Sequence, residues 1–229
     1  MATALNRERL VAIAHDFVST NGLDALTMRR LAVAAQVTPG ALYKHVQGKR
    51  DLQRAMADAV YATVDLSDID LSTPTVDQVI TCCTRMREAM LRFRDGGRIV
   101  AGSYSPFAAT ANIAGTLRAL LQAVTVPQFD AGDIAYALRN YTTGFVIEEQ
   151  AYLALERTGE WERLVEALEP DARDLPGGMS DAVVILTDDR DKRYLAGLIA
   201  ILTGTVNTPV DRTRMKLAPS AKKKAPPPA

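Results

Sequence analysis

Between Ala25 and Arg50 the chain places two helix starts and five cations within twenty-six residues, with no acid among them. Thr27 stands at an N-cap position, and Leu31, Ala34 and Ala35 give the helix behind it a narrow apolar face. Thr38 takes a second cap position and Pro39 the first helical one, where a missing N–H costs nothing. Gly40 and Ala41 keep that second helix slim, while Leu42 and Val46 turn back towards a core. Two short helices on a tight turn, flanked by Arg29, Arg30, Lys44, Lys49 and Arg50, predict a helix-turn-helix whose second helix enters a DNA major groove.

The charge distribution supports that expectation. The 229 residues carry no net charge, which looks wrong for a DNA binder until the chain is divided. Residues 1–60 hold 8 Lys/Arg against 5 Asp/Glu, and the remainder 19 against 22. The basic excess is local to the reading segment, where phosphate neutralisation needs it, and the acidic remainder keeps the rest off the duplex. Cys82 and Cys83 are adjacent, so they point about 100° apart on a helix and imply no disulfide framework. With no run of 18 apolar residues and no signal-peptide pattern, the expected location is the cytoplasm, away from any membrane.

The pattern along the chain is helical throughout. Leu10, Ile13, Ala14, Phe17 and Val18 form a core-facing stripe that Asn21-Gly22 ends; Leu52, Ala55, Met56, Ala59, Val60 and Thr63 mark a fourth helix. The polar stretch Asp65 to Pro74 is the predicted domain boundary. Thr73-Pro74 or Thr75-x-x-Gln78 opens a long helix through Val76, Val79, Ile80, Cys83, Met86, Met90 and Leu91, broken at Asp95-Gly96-Gly97. Ser105-Pro106 is read as the cap of a helix bearing Ile113, Leu117, Leu120, Leu121 and Val124, and Asp130 as the cap of one reaching about Glu156. A short piece around Trp161, a loop at 170–180, a segment at 181–186 whose composition suits a strand but which, lacking a pairing partner, reads better as a short helix, and a final helix after Thr187 complete the count. The final helix carries Tyr194, Leu195, Leu198, Ile199, Ile201 and Leu202, an apolar surface wide enough to predict a subunit contact there, Leu198 and Leu202 included. The expected fold class is all-α: a helix-turn-helix domain over 1–64, a larger helical domain over 65–207 for ligand binding and dimerisation, and a disordered tail over 208–229.

Individual residues divide by chemistry. Tyr43 can hydrogen-bond a phosphate, and Lys44 can reach a phosphate or a guanine edge. Thr27, Arg29 and Lys49 suit phosphate clamping, as Thr38 does at the start of the second helix. Gly40 and Ala41 could offer only an apolar contact, such as a thymine methyl. His45 has two readings, DNA contact or structural packing. In the larger domain Ile134, Leu138, Tyr141, Phe145, Glu148 and Tyr152 share one helix face. A carboxylate within that stripe is either paired with a distant Arg or Lys, reached by water at an edge, or the polar anchor of an apolar ligand cavity. Cys82-Cys83 reads as buried apolar filler better than as a redox sensor. Ser103, Ser105 and Thr143 have no nearby histidine to activate them, so no enzyme is expected.

The run Leu26-Thr-x-Arg29-x-Leu31-Ala32, with Val37, Leu42-Tyr43-x-His45-Val46 and Lys49-Arg50, resembles the DNA-binding domain of the tetracycline repressor (TetR) family. Arg94-Asp-Gly-Gly-Arg98, Gly102 and Gly144-Phe-Val-Ile-Glu-Glu-Gln150 extend the resemblance over roughly residues 5–205. It implies an all-helical homodimer that binds a palindromic double-stranded operator and lets go when a small molecule fills the second domain. An activator of the same architecture, or a small-molecule carrier or enzyme, are the competing readings. In the family the glutamate matching Glu148 contacts the hydrated metal of the drug, but the metal-binding histidine falls at Val100 and a drug-holding arginine at Tyr104. The pocket asparagine falls at Cys82 and its aromatic neighbour at Met86. Only His15 and His45 exist, both near the N-terminus, so neither a metal site nor a cofactor is expected. Cys82, Met86, Val100, Tyr104, Phe107, Tyr141, Glu148 and Tyr152 are the candidate lining of a largely apolar effector site, and Arg98 to Tyr104 is the segment expected to move.

Overall fold

The computed structural model describes residues 5–168 and 189–207. Ten helices follow in order: α1 Arg7–Asn21, α2 Met28–Ala34, α3 Pro39–Leu42, α4 Lys49–Tyr61, α5 Val76–Leu91, α6 Gly96–Val100, α7 Ala108–Val124, α8 Ala131–Thr158, α9 Glu160–Leu168 and α10 Arg190–Leu202. Among the described residues the only β pairing is an isolated antiparallel bridge between Thr125 and Val206. The fold is all-α, as the helical spacing predicts.

Helices α1 to α4 close over Leu10, Val18, Leu26, Leu31, Leu42, Leu52 and Met56, each with almost no solvent contact. Thr27 caps α2 by accepting from the Arg30 N–H at 3.2 Å. The turn after α2 is a Schellman motif: Val37 N–H donates to Ala32 and Gln36 N–H to Val33, with Gln36 left-handed at φ 55°. Thr38 departs from expectation. Its side chain makes no cap hydrogen bond; only its carbonyl accepts, from Ala41 N–H. Its hydroxyl stays exposed at the start of α3.

In the larger body Thr75 and Gln78 form the predicted capping box of α5, and Asp130 caps α8 through Gly132 and Asp133 N–H. α8 is the organising element, with α5, α6, α7 and α10 packed on it. α7 begins at Ala108, later than Ser105-Pro106 suggests; Ser105 instead accepts from Phe107 N–H at 3.3 Å. α10 starts from Asp189, whose carboxylate accepts from Asp191 and Lys192 N–H; Thr187, like the loop at 170–180, the segment at 181–186 and the tail, lies outside the described residues. The α8–α10 approach is so close that a Cβ at Gly197 would collide with the Tyr141 hydroxyl. Leu198 and Leu202 are fully buried against their own chain, which corrects their reading as subunit-contact residues. A 13-residue helix packed on α8 needs that apolar face for itself.

A buried ion cluster pins α5 to both α8 and α10. Arg87, 4% exposed, makes two hydrogen bonds to Glu149 at 2.8 and 2.9 Å and a third to Asp191 at 2.6 Å. Beside it, the fully buried Tyr194 donates to Cys83 carbonyl at 2.9 Å and meets the Thr142 hydroxyl at 2.9 Å.

Candidate functional site

The reading face is built by α2, α3 and the turn that follows. Thr27, Arg29, Thr38, Gly40, Tyr43, Lys44 and Lys49 are all exposed, while Ala41 and His45 are half-buried. Nothing lies within 4 Å of the position a Cβ would take on Gly40, so that side of α3 is open to a close partner. Arg30 is engaged at home, donating to Ala25 carbonyl and lying over the Phe17 ring at 5.1 Å. Arg29, Lys44 and Arg50 form no ion pair with a described residue, which leaves their charge directed outward. Behind His45, Arg7 donates to the His45 carbonyl at 2.9 Å and pairs with Asp51, bracing the turn from the domain side.

α6 joins this head to the body through polar contacts. The Asp95 carboxylate accepts from Leu23 N–H at 2.9 Å, and Arg98 forms a two-point pair with Asp24 at 2.6 and 3.1 Å. Arg94 donates to the Ser19 and Thr20 carbonyls at the end of α1. From the other side, Gln150 of α8 accepts from Gly97 N–H at 3.1 Å and donates to the Phe93 carbonyl at 2.8 Å. α6 and the residues before it are thus hydrogen-bonded both to α8 and to the segment that precedes α2. His15 closes the seam: its ring lies 4.6 Å from Phe93 and its Nε2 bonds the Met56 carbonyl, and burial lowers its pKa.

A cavity of about 210 Å³ lies between α4, α5, α7 and the start of α8. Its walls include Met86, Ile113, Leu117 and Ala135, with Tyr61 on one side and Arg118 and Arg139 on another. Of the eight residues expected to line an effector site, Met86 is the one that lines this cavity. Cys82 and Val100 are packed into the core at 0% and 1% exposure. Tyr104 is 70% exposed, in a left-handed backbone conformation at φ 43°, and does not line this cavity. Phe107 sits under Arg7 near the reading head. Tyr141 stacks on Tyr194 and donates to the Tyr194 carbonyl, while Tyr152 packs on Trp161 beneath Arg190.

Of the readings open for Glu148, its exposure fits an edge position reached by water, and the carboxylate buried against Arg87 is its neighbour Glu149. The helical spacing identified the apolar face but not which of two consecutive glutamates an arginine from α5 would claim. Val100 supplies no donor where the resembled repressors place their histidine. Among the described residues, no three His, Cys, Asp or Glu side chains gather as metal ligands. Sequence reasoning missed Tyr61, Arg118 and Arg139. The signal was present in the spacing 110, 113, 114, 117, 118 on α7 and 132, 135, 136, 139 on α8, which sets each arginine at the end of a largely small or apolar stripe.

The sequence matches two family models, "Bacterial regulatory proteins, tetR family" over residues 10–56 and "Tetracyclin repressor-like, C-terminal domain" over 74–208. The chain belongs to the TetR family. It is a transcription regulator with a helix-turn-helix DNA-binding domain and a ligand-binding domain. The class C tetracycline repressor of Escherichia coli is 33% identical over 87% of this chain and 90% of its own length. Among solved structures, a BioQ protein bound to its double-stranded DNA operator is 32% identical, with a TM-score of 0.58 over 72% of this chain and 98% of that one. ActR of Streptomyces coelicolor in complex with actinorhodin is 25% identical, with a TM-score of 0.70 over 89% of this chain and 96% of that one. No helix among the described residues is long and apolar enough to cross a membrane.

Proposed function

We propose that this TetR-family regulator is a homodimeric repressor that holds a palindromic operator and releases it when a small effector with a largely apolar body occupies the C-terminal domain. Residues 1–64 read DNA, and residues 65–207 sense and dimerise. The observation that carries the reading is the bonded seam at α6, which ties an exposed cationic head to the helix that walls the cavity. Relatives support both halves: one was solved on its DNA operator and another around a small molecule. α8 leaves Ala137, Asn140, Gly144 and Ala151 exposed along one face, and α10 leaves Ala196 and Ala200, a surface suited to close packing against a second copy. Two-fold symmetry then places the α3 helices about 34–36 Å apart, or modestly more, on an inverted repeat.

The effector acts by binding one arrangement of the body better than another, and the shift it produces is limited by that difference in affinity. The test is a fluorescence-anisotropy titration against the DNA upstream of the chain's own gene. Preference for an inverted repeat over scrambled DNA of equal length supports the reading. Equal affinity for both at physiological salt would overturn it.

A further inference from the structure

The cavity's polar groups specify more than an apolar effector. Tyr61 lines the cavity at 3% exposure, and its buried hydroxyl has no hydrogen-bond partner of good geometry. The Thr143 hydroxyl nearby is likewise buried without a bond of good geometry, although the two are close enough for Tyr61 to feel it. A buried hydroxyl left unpaired is costly, so a donor on a residue that walls a cavity is a place where a ligand acceptor gains free energy. Burial pushes the Tyr61 hydroxyl up to about 12, against the pull of Arg139, so it remains a donor at neutral pH.

The charged groups around it have one sign. Arg118 and Arg139 both line the cavity, and no Asp or Glu does. Two carboxylates on neighbouring elements are already engaged: Asp58 accepts from the Thr110 N–H and hydroxyl, both at 2.8 Å, and Asp130 caps α8. The Gly132 and Asp133 amides are thus taken, and the lining side chains that can donate to a ligand are the guanidinium groups of Arg118 and Arg139 and the phenols of Tyr61 and Tyr136. Guanidinium groups match carboxylates and other planar oxyanions geometrically, in paired bonds that an ammonium cannot reproduce. Met86, Ile113, Ala114, Leu117 and Ala135 make the apolar part of the wall, with Thr110 and Gly132 completing it. A volume near 210 Å³ falls below the range of about 300–1,000 Å³ that drug-sized ligands occupy, which favours one or two rings.

We propose that this cavity binds a small organic anion, an aromatic or alicyclic acid whose oxyanion is held by Arg118 and Arg139 and receives the Tyr61 hydroxyl, with its ring against the Met86–Leu117 wall. This rests on the reading of the C-terminal domain as a sensor and narrows its ligand to an acid, excluding the amine-bearing effector that a glutamate anchor would select.

The test uses the full-length protein and matched probes: benzoate and 2-naphthoate, their neutral amides, and benzylammonium and 2-naphthylmethylammonium. Binding is measured by calorimetry at pH 7.5, and operator release by anisotropy in the same samples. At least one acid should bind tenfold or more tightly than its amide, with the ammonium weakest. Arg118→Gln with Arg139→Gln should weaken the acid about 10–100-fold and leave the amide unchanged, and Tyr61→Phe should weaken it about 2–10-fold. Arg118 is exposed, so Arg118→Gln alone reports without endangering the fold, and Arg139→Lys should recover only part of the acid's affinity. Acids that bind no better than their amides, an ammonium that binds best, or an acid indifferent to both arginines would each overturn the proposal. If an acid binds through the arginines but the operator is not released, the cavity assignment stands and the effector reading falls. If the ammonium alone releases the operator, the sensor stands and the anion assignment falls.

Discussion

Thr27 uses its hydroxyl as a cap, so its scope for phosphate is what that bond leaves over; Arg29, Lys44 and Lys49 have no such commitment by hydrogen bond. Removing Arg29 or Lys49 should weaken binding to every DNA sequence and flatten the log-log salt slope by about one unit. Lys44→Ala should instead change which operator is preferred, because its side chain follows α3 where base edges are within reach; a uniform loss would reduce it to a phosphate contact. Arg87 shows the opposite economy, with every hydrogen bond spent inside. Arg87→Met strands the buried Glu149 carboxylate and should cost about 3–5 kcal/mol in urea unfolding. Adding Glu149→Leu should return most of that, since the desolvation of both charges disappears together. A double variant as unstable as the single would mean that the cluster's value lies in packing rather than in charge.

At the scale of elements, caps and stripes were legible before any coordinates. The Thr75–Gln78 box, the Asp130 cap and the α1, α5 and α7 stripes all express local spacing, which a sequence displays directly. What was not legible depended on which distant element arrives. Tyr141 and Tyr152 share a face with Ile134, yet α10 and α9 claim them; Leu198 and Leu202 look like surplus apolar area until α8 is seen to use them. Tyr61 reads as one more position of an amphipathic helix, and only the meeting of α4 with α7 and α8 turns it into a cavity wall. α6 belongs to the same category, because its five residues matter for what they join. Gln150→Leu removes the bonds to Gly97 and Phe93 and should leave operator affinity within about threefold while weakening effector-driven release. Unchanged release would place the coupling in the packing of α4 against α6 and α7 instead.

For the whole molecule, acid should loosen the head from the body before it unfolds either. His15 is held neutral at the seam, and its folded pKa lies below the ordinary 6.5 because burial disfavours the imidazolium. Below that value the unfolded chain binds a proton that the folded one refuses, so this contribution is complete above pH 6.5 and lost as pH falls. Thermal midpoints should therefore drop between pH 6.5 and 5, and His15→Gln, which keeps a donor for the Met56 carbonyl, should flatten the drop. An identical slope in the variant would assign it to carboxylates. Assembly can be probed at Gly144, where nothing within 4 Å obstructs a side chain in the single chain. Gly144→Glu should leave the fold intact and shift sedimentation from dimer to monomer; an unchanged dimer would move the contact off α8.

The two native cysteines open an experimental route. Both are fully buried, and burial pushes the Cys82 thiol up to about 11 and the Cys83 thiol well above its ordinary range, so neither presents a thiolate to a maleimide at neutral pH. A cysteine introduced at Val33, which is 75% exposed beside the reading face, would accept a fluorophore or spin label alone, with no need to strip the native pair from the core. The distance between two such labels in a dimer becomes a ruler across the operator, readable with and without effector in the same cuvette.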